Sequence, residues 1–182
     1  MRIMVDNSVL VIVDVQEKLF NVVLNREQVL KNILKLVKVS KLLRIPIIIT
    51  EQYPQGLGKT VPELVQELGE HYSPIEKTTF SCFGSQEFRE RVSEIGRKNL
   101  LITGIEAHIC VYQTAVDAAS LGYRPVVVYD ATSSRLELDY RVMLYRLLGK
   151  GIDVATTDMV IFELVGDSKH PAFREVLKIV KD

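Results

Sequence analysis

The run "SVLVIVDV" (8–15) constrains the fold more than any other stretch of the chain. It is apolar at odd and even positions alike, so a strand built from it must be covered on both faces, as strands of parallel sheets under helices are. Related runs recur at "IPIIIT" (45–50), near 73–77, and at "KNLLITG" (98–104), "RPVVVYD" (124–130) and "IDVAT" (152–156). Segments of helical period separate them. In "NREQVLKNILKLVKVSKLL" (25–43), Val29, Ile33, Leu36 or Val37, and Ser40 or Leu43 fall on one stripe. Asn25 with Gln28 there, and Ser134 with Glu137 later, have capping-box spacing, and Thr60 with Glu63 opens a short helix. Further helices are expected over 85–94, after Gly104, up to about Leu148, and once or twice near the C-terminus. About six strands alternating with helices predict an α/β fold: a three-layer α-β-α sandwich around a mostly parallel sheet, one domain over 1–182.

Composition narrows the partners. With 182 residues, 47% of them apolar, and a formal net charge of zero, the chain can bury a core and is not disordered. Balanced charge argues against nucleic acid or an anionic membrane as the main partner, and it is compatible with self-association. No apolar run approaches the roughly 20 residues that span a bilayer, and the N-terminus lacks a small-residue cleavage site. Two cysteines, Cys82 and Cys110, form neither a disulfide framework nor a metal cluster. A reduced, cytoplasmic setting is expected.

In parallel sheets, ligands bind beyond the carboxyl ends of the strands, where strand order reverses. Those positions hold Asp14, the Thr50–Tyr53 loop, Lys77, Cys110 and Asp130. Each has an ordinary reading as well: a capping carboxylate, a solvated lysine, a cysteine that merely packs. Together they offer a nucleophile, a proton carrier and a charge stabiliser. Cys110 falls near the start of a helix, where backbone N–H groups are expected to favour a thiolate and to serve an oxyanion. Gln16, Phe20, Gln52, Tyr53 and Phe80 lie on strand-end segments as candidate substrate contacts, and His108, two residues before Cys110, is placed to reach the pocket. Cys82 is read as packing.

The stretches "VIVDVQEKLF", "IEKTTFSCF" and "TGIEAHICVYQTAVDA", in this order along the whole chain, resemble the isochorismatase-like cysteine hydrolases. "TEQYPQGLGKTVPEL" (50–64) is similar to the branch called isochorismatase domain-containing proteins. The resemblance implies a catalytic triad of Asp14, Lys77 and Cys110. It also implies a cis Ile105–Glu106 peptide after Gly104, with the N–H groups of Glu106 and Cys110 as the oxyanion hole. A small-molecule amide, a thioester intermediate, no cofactor and a homo-oligomer follow from the same likeness.

Two departures matter. Nicotinamidases of this family carry an Asp-x-His metal site after the second strand, whereas "EQYPQGLG" has no histidine, and His71, His108 and His170 lack ligand spacing. No metal is expected. Isochorismatase itself, a vinyl-ether hydrolase, lacks the cysteine, so Cys110 favours acyl chemistry. Two alternatives stand beside this one. A haloacid-dehalogenase-like phosphotransferase would need a second Asp where Gln16 stands, and a silent interaction protein would keep the fold without turnover.

Overall fold

In the computed structural model, which describes residues 2–181, six strands form one parallel sheet. They are β1 (Ser8–Val13), β2 (Ile47–Gln52), β3 (Pro74–Lys77), β4 (Asn99–Ile105), β5 (Arg124–Ser133) and β6 (Asp153–Ala155). Their order is β3-β2-β1-β4-β5-β6, so the chain reverses its direction of travel between β1 and β4. Every residue of those two central strands is buried, which is why their sequences show no polar alternation.

The helices are α1 (Glu17–Phe20), α2 (Arg26–Leu42), α3 (Pro54–Leu57), α4 (Pro62–Leu68), α5 (Gln86–Ile95), α6 (Tyr112–Ser120), α7 (Glu137–Gly149), α8 (Thr157–Val165) and α9 (Phe173–Lys181). On one face of the sheet Ile33 and Leu36 of α2, Leu64 of α4, Ile161 of α8 and Val176 of α9 build one core. On the other, Phe88 of α5, Ala115 of α6 and Leu147 of α7 build a second. The result is the α-β-α sandwich expected from the alternation. Among the described residues no helix is long and apolar enough to cross a membrane.

Three capping signals expected from the sequence are not used as caps. Asn25 adopts left-handed backbone (φ 49°) and caps nothing, while Gln28 bonds to Asn32. Thr60 does not open α4; its N–H and hydroxyl both donate to the buried Glu51 carboxylate, at 2.8 and 2.7 Å. Ser134 bonds to His108 instead of capping α7, and β5 continues through Ser133 into the expected loop. Ser85 caps α5 by accepting from the Phe88 N–H.

Gly104 sits on β4 opposite Val13 at φ 110°. A Cβ there would lie 2.0 Å from the Val13 carbonyl oxygen and 2.7 Å from its nitrogen. Only glycine lets β4 approach the end of β1 this closely. That approach sets the distance between the two strand ends where the candidate site lies.

Candidate active site

Asp14 is the first residue beyond β1 and takes left-handed backbone (φ 51°), which Asp tolerates better than most residues. Its N–H donates to the Thr50 carbonyl at 3.2 Å, fixing it over the end of β2. Lys77 ends β3, one strand further out. Its ammonium reaches back to donate to Asp14 Oδ2 at 2.7 Å, and both side chains are fully buried. The other carboxylate oxygen, Oδ1, accepts from the Thr50 hydroxyl at 2.7 Å.

The Lys77 ammonium has three hydrogens and four acceptors around it: Asp14 Oδ2, Gln52 Oε1 at 2.8 Å, and the Thr79 and Phe80 carbonyls at 3.1 and 3.2 Å. No proton is left to offer a substrate, so the group acts as a fixed positive charge. Burial works to pull its pKa down, but the Asp14 carboxylate, with the Cys82 and Cys110 thiols behind it, outweighs burial and holds it above the ordinary lysine value.

Cys110 lies in a π-helical turn, Ala107–Val111, inserted between β4 and α6. The Glu106 carbonyl accepts from the N–H groups of Ile109 and Val111, on either side of Cys110. The Ile105–Glu106 peptide is cis. Cys110 is 5% exposed. Burial pushes its thiol well above the ordinary range; the Asp14 charge adds to this, and Lys77 only partly offsets it. Cys110 is the fourth residue of the continuous helical run that follows Glu106, and burial and the Asp14 charge oppose a resting thiolate there. The residue sits two positions ahead of α6 in a buried, acid-flanked position that favours the thiol over the thiolate. Asp14, Lys77 and Cys82 are the groups that act on it, which places Cys110 in the same buried cluster.

Cys82 lies closer to this cluster than a packing role required. It is fully buried, 3.8 Å from the Thr50 hydroxyl, and its N–H donates to Thr114, one turn beyond Cys110 on α6. Burial and the Asp14 charge raise its thiol to about 11.

The other candidates divide into two groups. Gln16 is buried, donates to the Gln52 and Gly58 carbonyls and accepts from the Gln52 N–H, so its amide ties two loops together. Gln52 bridges Lys77 and the Thr78 carbonyl. Phe20 packs against the α2-side core under Arg26. His108 turns from the thiol toward Ser134, 2.9 Å from its Nδ1, and Asp139 on α7, 3.8 Å from its Nε2. Glu106 directs its carboxylate to Arg135. Tyr53 and Phe80 remain exposed; Tyr53, with Lys77, Thr79 and Ser85, lines a cleft of about 280 Å³ beside the buried charges. Thr50 is the first of the three polar residues, Thr50, Glu51 and Gln52, that end β2, and sequence spacing gives no sign of its bond to Asp14. Among the described residues no group of three or more His, Cys, Asp or Glu side chains is arranged to hold a metal ion.

The family model of the isochorismatase domain matches residues 8–159, which takes in the ends of all six strands. The chain belongs to the isochorismatase family. Isochorismatase domain-containing protein 2 of Bos taurus is 39% identical over 181 residues, covering 100% of this chain and 86% of that protein. Among solved structures, the MAR1 ribonuclease of Caenorhabditis elegans superposes with a TM-score of 0.93 at 37% identity, covering 100% of this chain and 93% of the other. The YcaC gene product of Escherichia coli, described as an octameric hydrolase of unknown specificity, shares the fold at a TM-score of 0.87 and 24% identity, covering 100% and 97%. Membership in the isochorismatase family supports a hydrolase-like function for this chain.

Proposed function

We propose that this protein is a cysteine hydrolase that cleaves a small amide-type C–N bond through a thioester on Cys110, with Asp14 and Lys77 completing the triad. The single observation that carries the reading is the buried Asp14 carboxylate, which is held by Lys77 and Thr50 and acts on the Cys110 thiol. A base held in the same buried cluster can take the thiol proton during the attack, so no preformed thiolate is needed.

Asp14 takes the thiol proton as the sulfur attacks the carbonyl carbon. The negative charge moves onto the carbonyl oxygen, facing the N–H groups of Glu106 and Cys110 as the oxyanion hole. As the C–N bond breaks, Asp14 passes that proton to the departing nitrogen. Water then attacks the thioester, its proton goes to Asp14, and the C–S bond breaks. Asp14 returns the proton to sulfur, and the products are a carboxylic acid and ammonia or an amine. Lys77 remains charged throughout and keeps the carboxylate oriented.

The exposed Tyr53 at the cleft favours a small, flat or apolar acyl group, and Phe80 is exposed next in sequence to the cleft residue Thr79. Gln16 and Gln52 act by shaping the loops, while the His108 ring faces Ser134 and Asp139. The C. elegans relative is named a ribonuclease; a net charge of zero here and a nucleophile 5% exposed favour a small molecule over RNA. We also infer that copies of the chain self-associate.

A panel of small primary amides, assayed for ammonia release with wild type and Cys110→Ala, tests the reaction class. Release by wild type alone supports it. Equal release by both proteins, or cleavage of RNA that survives the substitution, contradicts it.

A further inference from the structure

The two most exposed large apolar side chains among the described residues, Leu138 and Tyr145, both lie on α7, with exposed Val142 between them. Leu138, Val142 and Tyr145 are 71%, 45% and 66% exposed, while Met143 and Leu147 on the opposite side enter the core. At 100° per residue, positions 138, 142, 145 and 149 lie within an arc of about 60°. Their spacing of four, three and four is a coiled-coil seam rather than the broader stripe of a core-facing helix. The last position is Gly149, which allows close approach. Isolated exposed leucines need no explanation, but a contiguous seam marks an interface.

The flanking charges select the occupant and its direction. On one side of the seam stand Asp139 near the start of the helix and Arg146 near its end. When two copies of α7 pack antiparallel about a twofold axis through Val142, Asp139 of each meets Arg146 of the other. A parallel pairing would instead bring Arg141 against Arg146, with like charges opposed. Both charged side chains are already held in place: Asp139 lies 3.8 Å from His108 Nε2, and the Arg146 guanidinium stacks 4.4 Å over the Tyr112 ring. His108 and Tyr112 flank Cys110 in sequence, so the same surface steadies the segment that carries the thiol.

We propose that this face of α7 is the seam of an isologous dimer, with Leu138, Val142 and Tyr145 buried against a second copy and Asp139 paired with Arg146 across the axis. This rests on the self-association reading above and is independent of the chemistry at Cys110.

Light scattering and sedimentation on the full chain test it. Wild type is expected to be an oligomer, and Val142→Asp, which places two carboxylates on the axis, is expected to lower the mass at least twofold with an unchanged circular dichroism spectrum. Leu138→Lys serves the same purpose should Val142→Asp fail to fold. Asp139→Arg and Arg146→Asp singly are expected to weaken the dimer about tenfold, and the double reversal to restore it. A wild-type monomer overturns self-association itself. An oligomer whose mass is indifferent to Val142→Asp and Leu138→Lys, or a double reversal no tighter than the single ones, overturns this interface and leaves self-association standing.

Discussion

Lys77 Nζ lies 2.7 Å from Asp14 Oδ2, with neither side chain reaching solvent. Such a pair adds little net stability compared with an apolar replacement of both groups, whereas deleting one partner strands the other charge. Lys77→Met is expected to lower unfolding free energy by about 3–5 kcal/mol and to abolish turnover. Urea denaturation checks the first and an amidase assay the second. A near-neutral change in stability would mean that Asp14 is not held as the structure shows.

The same pair fixes a pH dependence. The folded-state pKa of Lys77 lies above its ordinary value of 10.5, so its contribution is fully present below 10.5 and is lost as pH climbs through the higher folded value. Denaturation midpoints between about pH 7 and 9 are therefore expected to show no Lys77-dependent fall. A steep loss in that window that Lys77→Met removes would contradict the assignment.

The two thiols are expected to behave differently toward an alkylating reagent. Cys110 stands at 5% exposure, whereas Cys82 is fully enclosed. Native-state labelling followed by peptide mapping is expected to modify Cys110 first, with a rate that keeps rising with pH because the thiol pKa is raised. Cys82 is expected to react only on unfolding. Equal rates, or a plateau below neutral pH, would contradict the picture of a protonated, base-assisted thiol.

Gly104→Ala is expected to cost at least about 3 kcal/mol, because its Cβ would lie 2.0 Å from a backbone oxygen of the central strand. Thermal melting tests this. A variant as stable as wild type would show that the end of β1 can move aside.

His108→Ala is expected to change turnover no more than about twofold per active site, an effect near 0.5 kcal/mol, since the ring faces Ser134 and Asp139. A loss of a hundredfold would place the imidazole in the chemistry.

Much of the architecture was legible because β1 and β4 are buried on both faces, and that condition is written directly into "SVLVIVDV" and "NLLITGI". Asp14, Lys77 and Cys110 were readable from the rule that chemistry gathers past strand ends, helped by the family likeness. What sequence spacing could not reveal was competition for polar side chains. Gln16 reads as a ligand contact because it follows Asp14, yet backbone groups of two loops occupy its amide. Thr60 and Ser134 read as caps, and each found a tertiary partner in Glu51 or His108. The thiol of Cys110 reads as helix-activated because the burial and the Asp14 charge that raise its pKa are not encoded in any periodicity. Likewise the α7 seam looks like any amphipathic helix until the core is seen to take the opposite side.

Trapping the acyl-enzyme is the most direct test of the central claim. Intact-mass and peptide-level mass spectrometry after mixing with a slowly turned-over small amide or activated ester should show one acyl group per chain, on Cys110. The adduct should be absent from Cys110→Ala and should form far more slowly in Asp14→Asn. Hydrolysis that persists in Cys110→Ala, or an acyl group found on Cys82 instead, would contradict it.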